Sequence, residues 1–213
     1  MKAVIFDMDG VIVDTMDLHY KAGARVLKES GKDITADDLR EFDATRVSEV
    51  FSKMLSNKTP AEIEGLVAKK YAYLLQKTKG IKPIPGFLEF FYRVRGKYKI
   101  GLVSSSYIDF LENILRELDI GKDFGAVVGG DSVAKGKPHP QGYLKAAKML
   151  KVKPRDCLVV EDSINGIAAA KAAGMKCIAV TNTYGRNFLL DADLIVDSLA
   201  DIDEKMIGGL FGP

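Results

Sequence analysis

Cysteine, single-sign charge and long apolar runs are all scarce in this chain, and each shortage excludes something. There are two cysteines, Cys157 and Cys177, and neither belongs to a CxxC motif or a Cys/His cluster. A zinc site of ordinary ligand spacing is therefore not expected. Each cysteine opens an apolar run, where the thiol behaves as a small buried hydrophobe, so free thiols and a reducing compartment are expected. Lysine and arginine total 31 against 29 acidic residues, a net charge of +2. That balance gives no footprint for nucleic acid or a polybasic membrane anchor. The short basic clusters at 93–99 and 151–155 read as solvated faces. No stretch approaches the ~20 apolar residues that span a bilayer. The N-terminus lacks the shape of a signal peptide, because acids interrupt a short apolar run. The expectation is a soluble cytoplasmic protein without nucleic-acid or membrane partners, monomeric or weakly dimeric. Internal repeats and low-complexity tracts are absent.

What is present is a series of short apolar runs, each ending in glycine or polar residues: 3–6, 99–106, 125–131, 156–163, 176–182 and 193–198. They are nearly continuous in apolar residues rather than alternating, the mark of strands buried on both faces of a parallel sheet. Helical periodicity fills the gaps at 107–120, 141–152 and 164–174. In the first of these, Ile108, Leu111, Ile114, Leu115 and Leu118 share a face. Asp162 or Ser163 suits the cap of the last, and Gly174 its stop. The predicted class is α/β, a Rossmann-like parallel sheet with helices on both faces and right-handed crossovers. The 213 residues are enough for one large core plus a small second domain.

Residues 16–80 break the strand–helix rhythm. They read as helices at 16–30, 36–42, 46–55 and 60–78, the last opened by Thr59-Pro60. The predicted organisation is an α/β core of residues 1–15 and 81–213, with an inserted helical cap over 16–80. The hinges are expected near 14–17 and 80–86.

Ligands bind beyond the carboxyl ends of the strands in an open parallel sheet. The polar residues that end the runs are Asp7 and Asp9, Ser104, and Glu161 with Asp162; Lys137 follows the GAVVGGD run. Two carboxylates at i, i+2 on extended backbone share a side and repel, so a cation or a proton must neutralise at least one. Mg²⁺ suits carboxylates combined with water and a substrate phosphate. Gly10 lets the backbone turn away directly after the pair. These residues point to a metal and phosphate site at the mouth of the sheet. A P-loop is excluded, because Asp131 stands where its first glycine belongs and Pro138 where its Ser or Thr belongs. No GxGxxG follows a strand, so a dinucleotide site is unsupported.

DMDGVIVDT, LVSSS, GKP and VVEDS, in that order, resemble the four motifs of the haloacid dehalogenase superfamily, and the insert after the first motif resembles its helical cap. The resemblance implies Mg²⁺-dependent phosphoryl transfer through an aspartyl phosphate. It makes Asp7 the nucleophile and Asp9 the general acid and base, with Ser104 and Lys137 holding the phosphoryl group. The metal set implied is Asp7, Asp9 and Asp162, with Glu161 either a ligand or acting through water. Ser105 and Ser106 could instead cap the following helix. Asp14 and Thr15 are expected to tie down the linker to the cap, Asp131 to order the loop before Lys137, and His139 to lie at the surface or a hinge.

In the cap, His19, Arg46 and Lys70 resemble substrate contacts of β-phosphoglucomutase-like enzymes. A guanidinium can grip a distal phosphate in two places. The alternatives are that Arg46 opens a helix and Lys70 lies on a wet face. The expected activity is a phosphatase acting on a small phosphorylated metabolite of the sugar phosphate or phosphoglycolate type. The alternatives are a sugar phosphomutase and a catalytically silent binding domain.

Overall fold

The computed structural model describes residues 1–42 and 45–211. The six apolar runs form six strands: β1 (Ala3–Phe6), β2 (Lys99–Val103), β3 (Phe124–Val128), β4 (Cys157–Glu161), β5 (Lys176–Val180) and β6 (Leu194–Val196). All neighbouring pairs are parallel, in the order β3-β2-β1-β4-β5-β6. Every residue of β1 and β4 is buried, as the unbroken apolar runs require of central strands.

Period-two alternation sends the two sides of each strand into different cores. Val4, Phe6, Leu158 and Val160 pack with α4 (Phe87–Val94) and α5 (Ile108–Glu117). Ala3, Ile5, Cys157 and Val159 pack with α6 (Gln141–Leu150) and α7 (Ile164–Ala172). The thiols of Cys157 and Cys177 are free and buried, and burial pushes Cys157 up to about 11. The ring of Phe6 lies 5.6 Å from Phe87 and 6.0 Å from Phe90, both edge-on. Such pairs add about 0.5–1.5 kcal/mol each beyond their buried area. They fix the end of β1 one residue before Asp7.

Between β1 and β2 the chain forms α1 (Met16–Glu29), α2 (Val47–Met54) and α3 (Pro60–Leu75), with no strand among the described residues of that stretch. Residues Asp37–Phe42, expected as a helix of the ordinary kind, form a 3₁₀ segment instead. The run is six residues long, too short to offset the cost of α-helix nucleation, and Leu39 is its buried residue. Thr35 and Asp38 close the segment's start reciprocally, with the Thr35 amide and hydroxyl both donating to the Asp38 carboxylate.

Two helices have no counterpart in the sequence reading. One is α4, whose apolar positions 87, 90, 91 and 94 do repeat at helical spacing. The other is α8 (Glu204–Phe211), a short C-terminal segment with one buried residue, Ile207. Where the two chain segments joining the helical insert to the sheet run side by side, the Ile84 amide donates to the Ile12 carbonyl at 2.8 Å, and Val13 pairs with Pro83. No described helix is long and apolar enough to cross a membrane.

The start of α3 carries a full capping box. The Thr59 hydroxyl accepts from the Glu62 amide, and the Glu62 carboxylate accepts from the Thr59 amide at 2.8 Å. Thr59→Ala should cost about 1 kcal/mol, a fall in Tm of about 2–4 °C for a chain of this size. Gly65, exposed in the same helix with open space around it, gives the opposite sign. Gly65→Ala should add about 0.5–1 kcal/mol through helix propensity. Thermal melts of the two variants check both.

Candidate active site

The sheet order reverses direction between β1 and β4, and the carboxyl ends of neighbouring strands part there to leave a crevice. Asp7 follows β1 directly; Glu161 ends β4 and Asp162 follows it; Ser104 follows β2. Lys137 arrives on the loop after β3. Asp7, Asp9, Ser104, Lys137 and Asp162 line one cleft, which the insert closes from above with His19, Lys70 and Tyr71.

The Lys137 ammonium is 7% exposed and lies between two acids, 2.5 Å from the Asp7 carboxylate and in contact with that of Glu161. Burial alone would lower its pKa, but the two neighbouring carboxylates outweigh burial and raise it. Asp7 is pushed up by burial and by Glu161 and Asp9, against the opposing pull of Lys137. Burial raises Asp162 well above its ordinary range, reinforced by Glu161 and Asp7. Four carboxylates thus share the cleft and its floor with two ammonium groups, Lys137 and Lys70. They cannot all ionise without further positive charge. Oxygens of Asp7, Glu161 and Asp162 lie within 4.8 Å of one another, a hard donor set that fits a divalent cation such as Mg²⁺.

Glu161 is distinguished from the other acids by its donors. One carboxylate oxygen accepts from the Asp162 amide, the Ser163 amide and the Ser163 hydroxyl, each at 2.9 Å. The other accepts from the Tyr143 hydroxyl at 2.9 Å and from Lys137. Burial pushes its pKa up, but Lys137 and these donors hold it below the ordinary value. A carboxylate offers about four lone-pair sites, so Glu161 has its acceptor capacity engaged and acts chiefly by holding Lys137. Ser163 also caps α7 by accepting from the Gly166 amide at 3.1 Å.

Asp9 faces the opposite side. It accepts from the Thr15 hydroxyl, and more distantly from Ser106 at 3.3 Å and Ser104 at 3.4 Å. Burial raises its pKa despite these donors. Its carboxylate is not among the three clustered acids. His19 lies 3.7 Å from Asp9 through Nε2, and its Nδ1 is 2.9 Å from Lys70 Nζ. Burial and the adjacent Lys70 hold His19 well below its ordinary pKa. Burial lowers Lys70 to about 8 against the pull of Asp9. Lys70 is 5% exposed, so it is not on a wet helix face.

Arg46 precedes α2 and stands apart from the cleft. Its guanidinium donates to the backbone carbonyls of Val133 at 2.6 Å and Ala134 at 3.2 Å, on the loop leading to Lys137. The Ser106 hydroxyl donates to Asp9 at 3.3 Å rather than capping α5. Asp131, on the segment that leads from β3 to Lys137, accepts from the Ile108 amide at the start of α5 at 3.1 Å. His139 accepts from the Gln141 amide at the start of α6, away from the cleft.

Three contributors escaped the sequence reading: Tyr143 on Glu161, Tyr71 in the cleft wall, and Thr183, which donates to Asp162. Thr183 had a signal, since it is a hydroxyl directly after the apolar run 176–182. Tyr143 had none, because its position on α6 is that of a core aromatic.

Two glycines set how closely the motifs approach. Gly10 has φ +79°, and a Cβ there would overlap the Asp162 carboxylate. A Cβ on Gly166 would overlap the Glu161 carboxylate. Gly166→Ala should therefore lower stability by about 3 kcal/mol, combining overpacking with displaced buried hydrogen bonds. That corresponds to a fall in Tm of about 6–12 °C, read by calorimetry beside the stabilised Gly65 variant.

The model of the haloacid dehalogenase-like hydrolase family matches residues 4–180. The chain is 35% identical to the β-phosphoglucomutase of Bacillus subtilis (strain 168), with 97% of this chain and 94% of that protein covered. It is 31% identical to hexitol phosphatase B of Escherichia coli (strain K12), covering 97% and 96%. The crystal structure of β-phosphoglucomutase from Clostridium difficile superposes with a TM-score of 0.88 at 28% identity, over 99% of this chain and 97% of that one. Relatives of both kinds, matched along nearly their whole length, account for the acids and the ammonium that the strand ends bring together: this chain belongs to the haloacid dehalogenase-like hydrolase family and is a phosphoryl-transfer enzyme.

Proposed function

We propose that the chain is a Mg²⁺-dependent phosphatase of small phosphomonoesters, of the sugar phosphate or phosphoglycolate type, working through a phosphoryl group carried on Asp7. The observation that supports this most directly is the Lys137 ammonium, 2.5 Å from Asp7, with Asp9 held across the cleft by Thr15 and the two serines. A carboxylate oxygen of Asp7 attacks phosphorus, and the bond from phosphorus to the alcohol oxygen breaks. The proton for the departing oxygen comes from Asp9, whose raised pKa favours carrying one. Asp9, now ionised, takes a proton from water as the water oxygen attacks phosphorus. The bond to Asp7 then breaks, releasing inorganic phosphate. Lys137 and Ser104 stabilise charge on the transferring group from fixed positions. Asp7 and Asp162 would hold the Mg²⁺, with Glu161 nearby, and the ion supplies charge neutralisation between anionic nucleophile and anionic phosphoryl group.

Hydrolysis is favoured over mutase chemistry by the cations of the insert. A mutase that passes through a bisphosphate needs a second phosphate site. The Arg46 guanidinium donates to two backbone carbonyls outside the cleft lining, which leaves Lys70, hydrogen-bonded to the neutral His19, as the single insert cation lining the cleft among the described residues. The mutase reading is supported by the 35% identity to β-phosphoglucomutase. Phosphorus NMR of β-glucose 1-phosphate with enzyme and Mg²⁺ separates the two. Release of inorganic phosphate is expected; conversion to the 6-phosphate without it would establish the mutase. A broad phosphoester panel with no chelator-sensitive turnover would instead favour the silent domain.

Two variants test the roles. Asp7→Asn should lower kcat by about 10³-fold or more on any substrate turned over, and persistent turnover in a clean preparation would remove Asp7 as nucleophile. Mg²⁺ at about 100 times its Kd should stabilise the protein by about 2.7 kcal/mol, a Tm gain of roughly 5–10 °C. Asp162→Asn should abolish that gain and raise the metal-free Tm, because it removes one buried charge from a repelling cluster. Thermal melts with and without chelator read both effects.

A further inference from the structure

The three clustered acids are held in different ways. Asp7 is held by Lys137, and Glu161 by five donors. The Asp162 carboxylate, 3% exposed, accepts from one side chain among the described residues, the Thr183 hydroxyl, and does so on Oδ2. The charged groups that act on it are Glu161, Asp7 and Lys137, and the Lys137 ammonium is already in contact with the other two. Repulsion from those two acids would turn an untethered Asp162 out of the cluster. Thr183 belongs to the loop after β5, and the residue before it grips the loop after β1: the Asn182 amide donates to the Gly10 carbonyl at 2.8 Å. Gly10 lies against the same Asp162 oxygen, where a Cβ would overlap it and stand 2.7 Å from the Thr183 hydroxyl. Thr183 is exposed. It lines the cleft on one side and, on the other, an open hollow walled by Asp14, Ile84 and Asn182.

Resting on the metal reading above, we infer that Thr183 is a positioning residue of the metal site. Its hydroxyl anchors one oxygen of Asp162 against Gly10 and leaves the other, which has no donor among the described residues, for the divalent cation. A hydroxyl suits this role because it donates without adding charge. An ammonium in its place would compensate the carboxylate and compete with the cation. Water from the hollow could replace the hydroxyl as a donor but not as an anchor, because water is not tied to the loop after β5. Partners that orient a metal ligand from behind are typically worth about 10–100-fold in metal affinity. The exposure of Thr183 separates this role from packing, since a surface side chain can be changed without opening a cavity in the core.

Calorimetric titration of Mg²⁺ into the full chain, Thr183→Val and Thr183→Ser reads the effect without turnover. Valine keeps the shape and removes the donor; serine keeps the donor. Thr183→Val should weaken Mg²⁺ binding about tenfold or more, whereas Thr183→Ser should bind the ion as the unaltered chain does. The metal-free Tm of both variants should stay within about 2 °C of the unaltered chain. An unchanged Kd in Thr183→Val overturns the inference. A serine variant as weak as the valine one does the same, because shape and not the hydroxyl would then matter. A large fall in the metal-free Tm of the valine variant would make the role structural and overturn it as well. The unaltered chain tests the reading underneath. If it binds no Mg²⁺, the metal reading and this inference fall together; if it binds Mg²⁺ and the valine variant binds equally, this inference alone falls.

Discussion

The site depends on one buried cation. Lys137 comes from a loop, yet its ammonium is inserted between the nucleophile candidate Asp7 and the wholly buried Glu161. An ammonium buried alone would shed its proton, and two carboxylates buried side by side would not both ionise. Together the ammonium keeps its proton and Glu161 its charge, while burial and the neighbouring acids still push Asp7 up against the pull of Lys137. The rest of the local structure serves that triad. The N-terminus of α7 and the Tyr143 hydroxyl fix Glu161, and a cluster of phenylalanines holds the strand that ends in Asp7. Removing one partner from a buried pair typically costs about 3–5 kcal/mol. The loop carrying Lys137 is thus bound to the sheet as firmly as a core element.

The same logic explains why the cleft has two differently charged sides. Asp7, Glu161 and Asp162 crowd together near Lys137, and their excess negative charge suits a hard cation. Asp9 is turned toward hydroxyl donors and toward His19, which burial and the adjacent Lys70 keep neutral. A carboxyl group away from the crowd, raised by burial, is suited to exchange protons rather than to bind metal. The insert completes this half of the site, since both His19 and Lys70 belong to it. It also reaches the other half indirectly, through Arg46 on the loop before Lys137. Chemistry and enclosure are therefore coupled by geometry: the lysine that faces the nucleophile hangs from a loop that the insert touches.

All six strands were legible as apolar runs, because a strand buried on both faces must be apolar throughout and its end is marked by the first polar residue. That is also why Asp7, Ser104, Glu161 and Asp162 could be named beforehand: in a parallel sheet the residues that end the runs are the residues at the crevice. The segment 37–42 was misjudged because its composition favours helix while its six residues are too few to sustain one. The helix α4 was overlooked although Phe87, Phe90, Phe91 and Val94 spell its face, since a dense aromatic run can be assigned to either kind of element.

The linear order of residues determined which side chains would stand at the strand ends, that the insert would be helical, and that buried acids would outnumber cations in the cleft. These follow from periodicity and composition, which are local. The tertiary structure alone decided how each group is used. It turned Asp9 toward Thr15 and away from the other acids, set five donors on Glu161, drew Arg46 onto two carbonyls, and brought Tyr143 and Thr183 to carboxylates distant in the chain. Those outcomes depend on which oxygen meets which donor across packed elements, and no spacing along one segment carries that information.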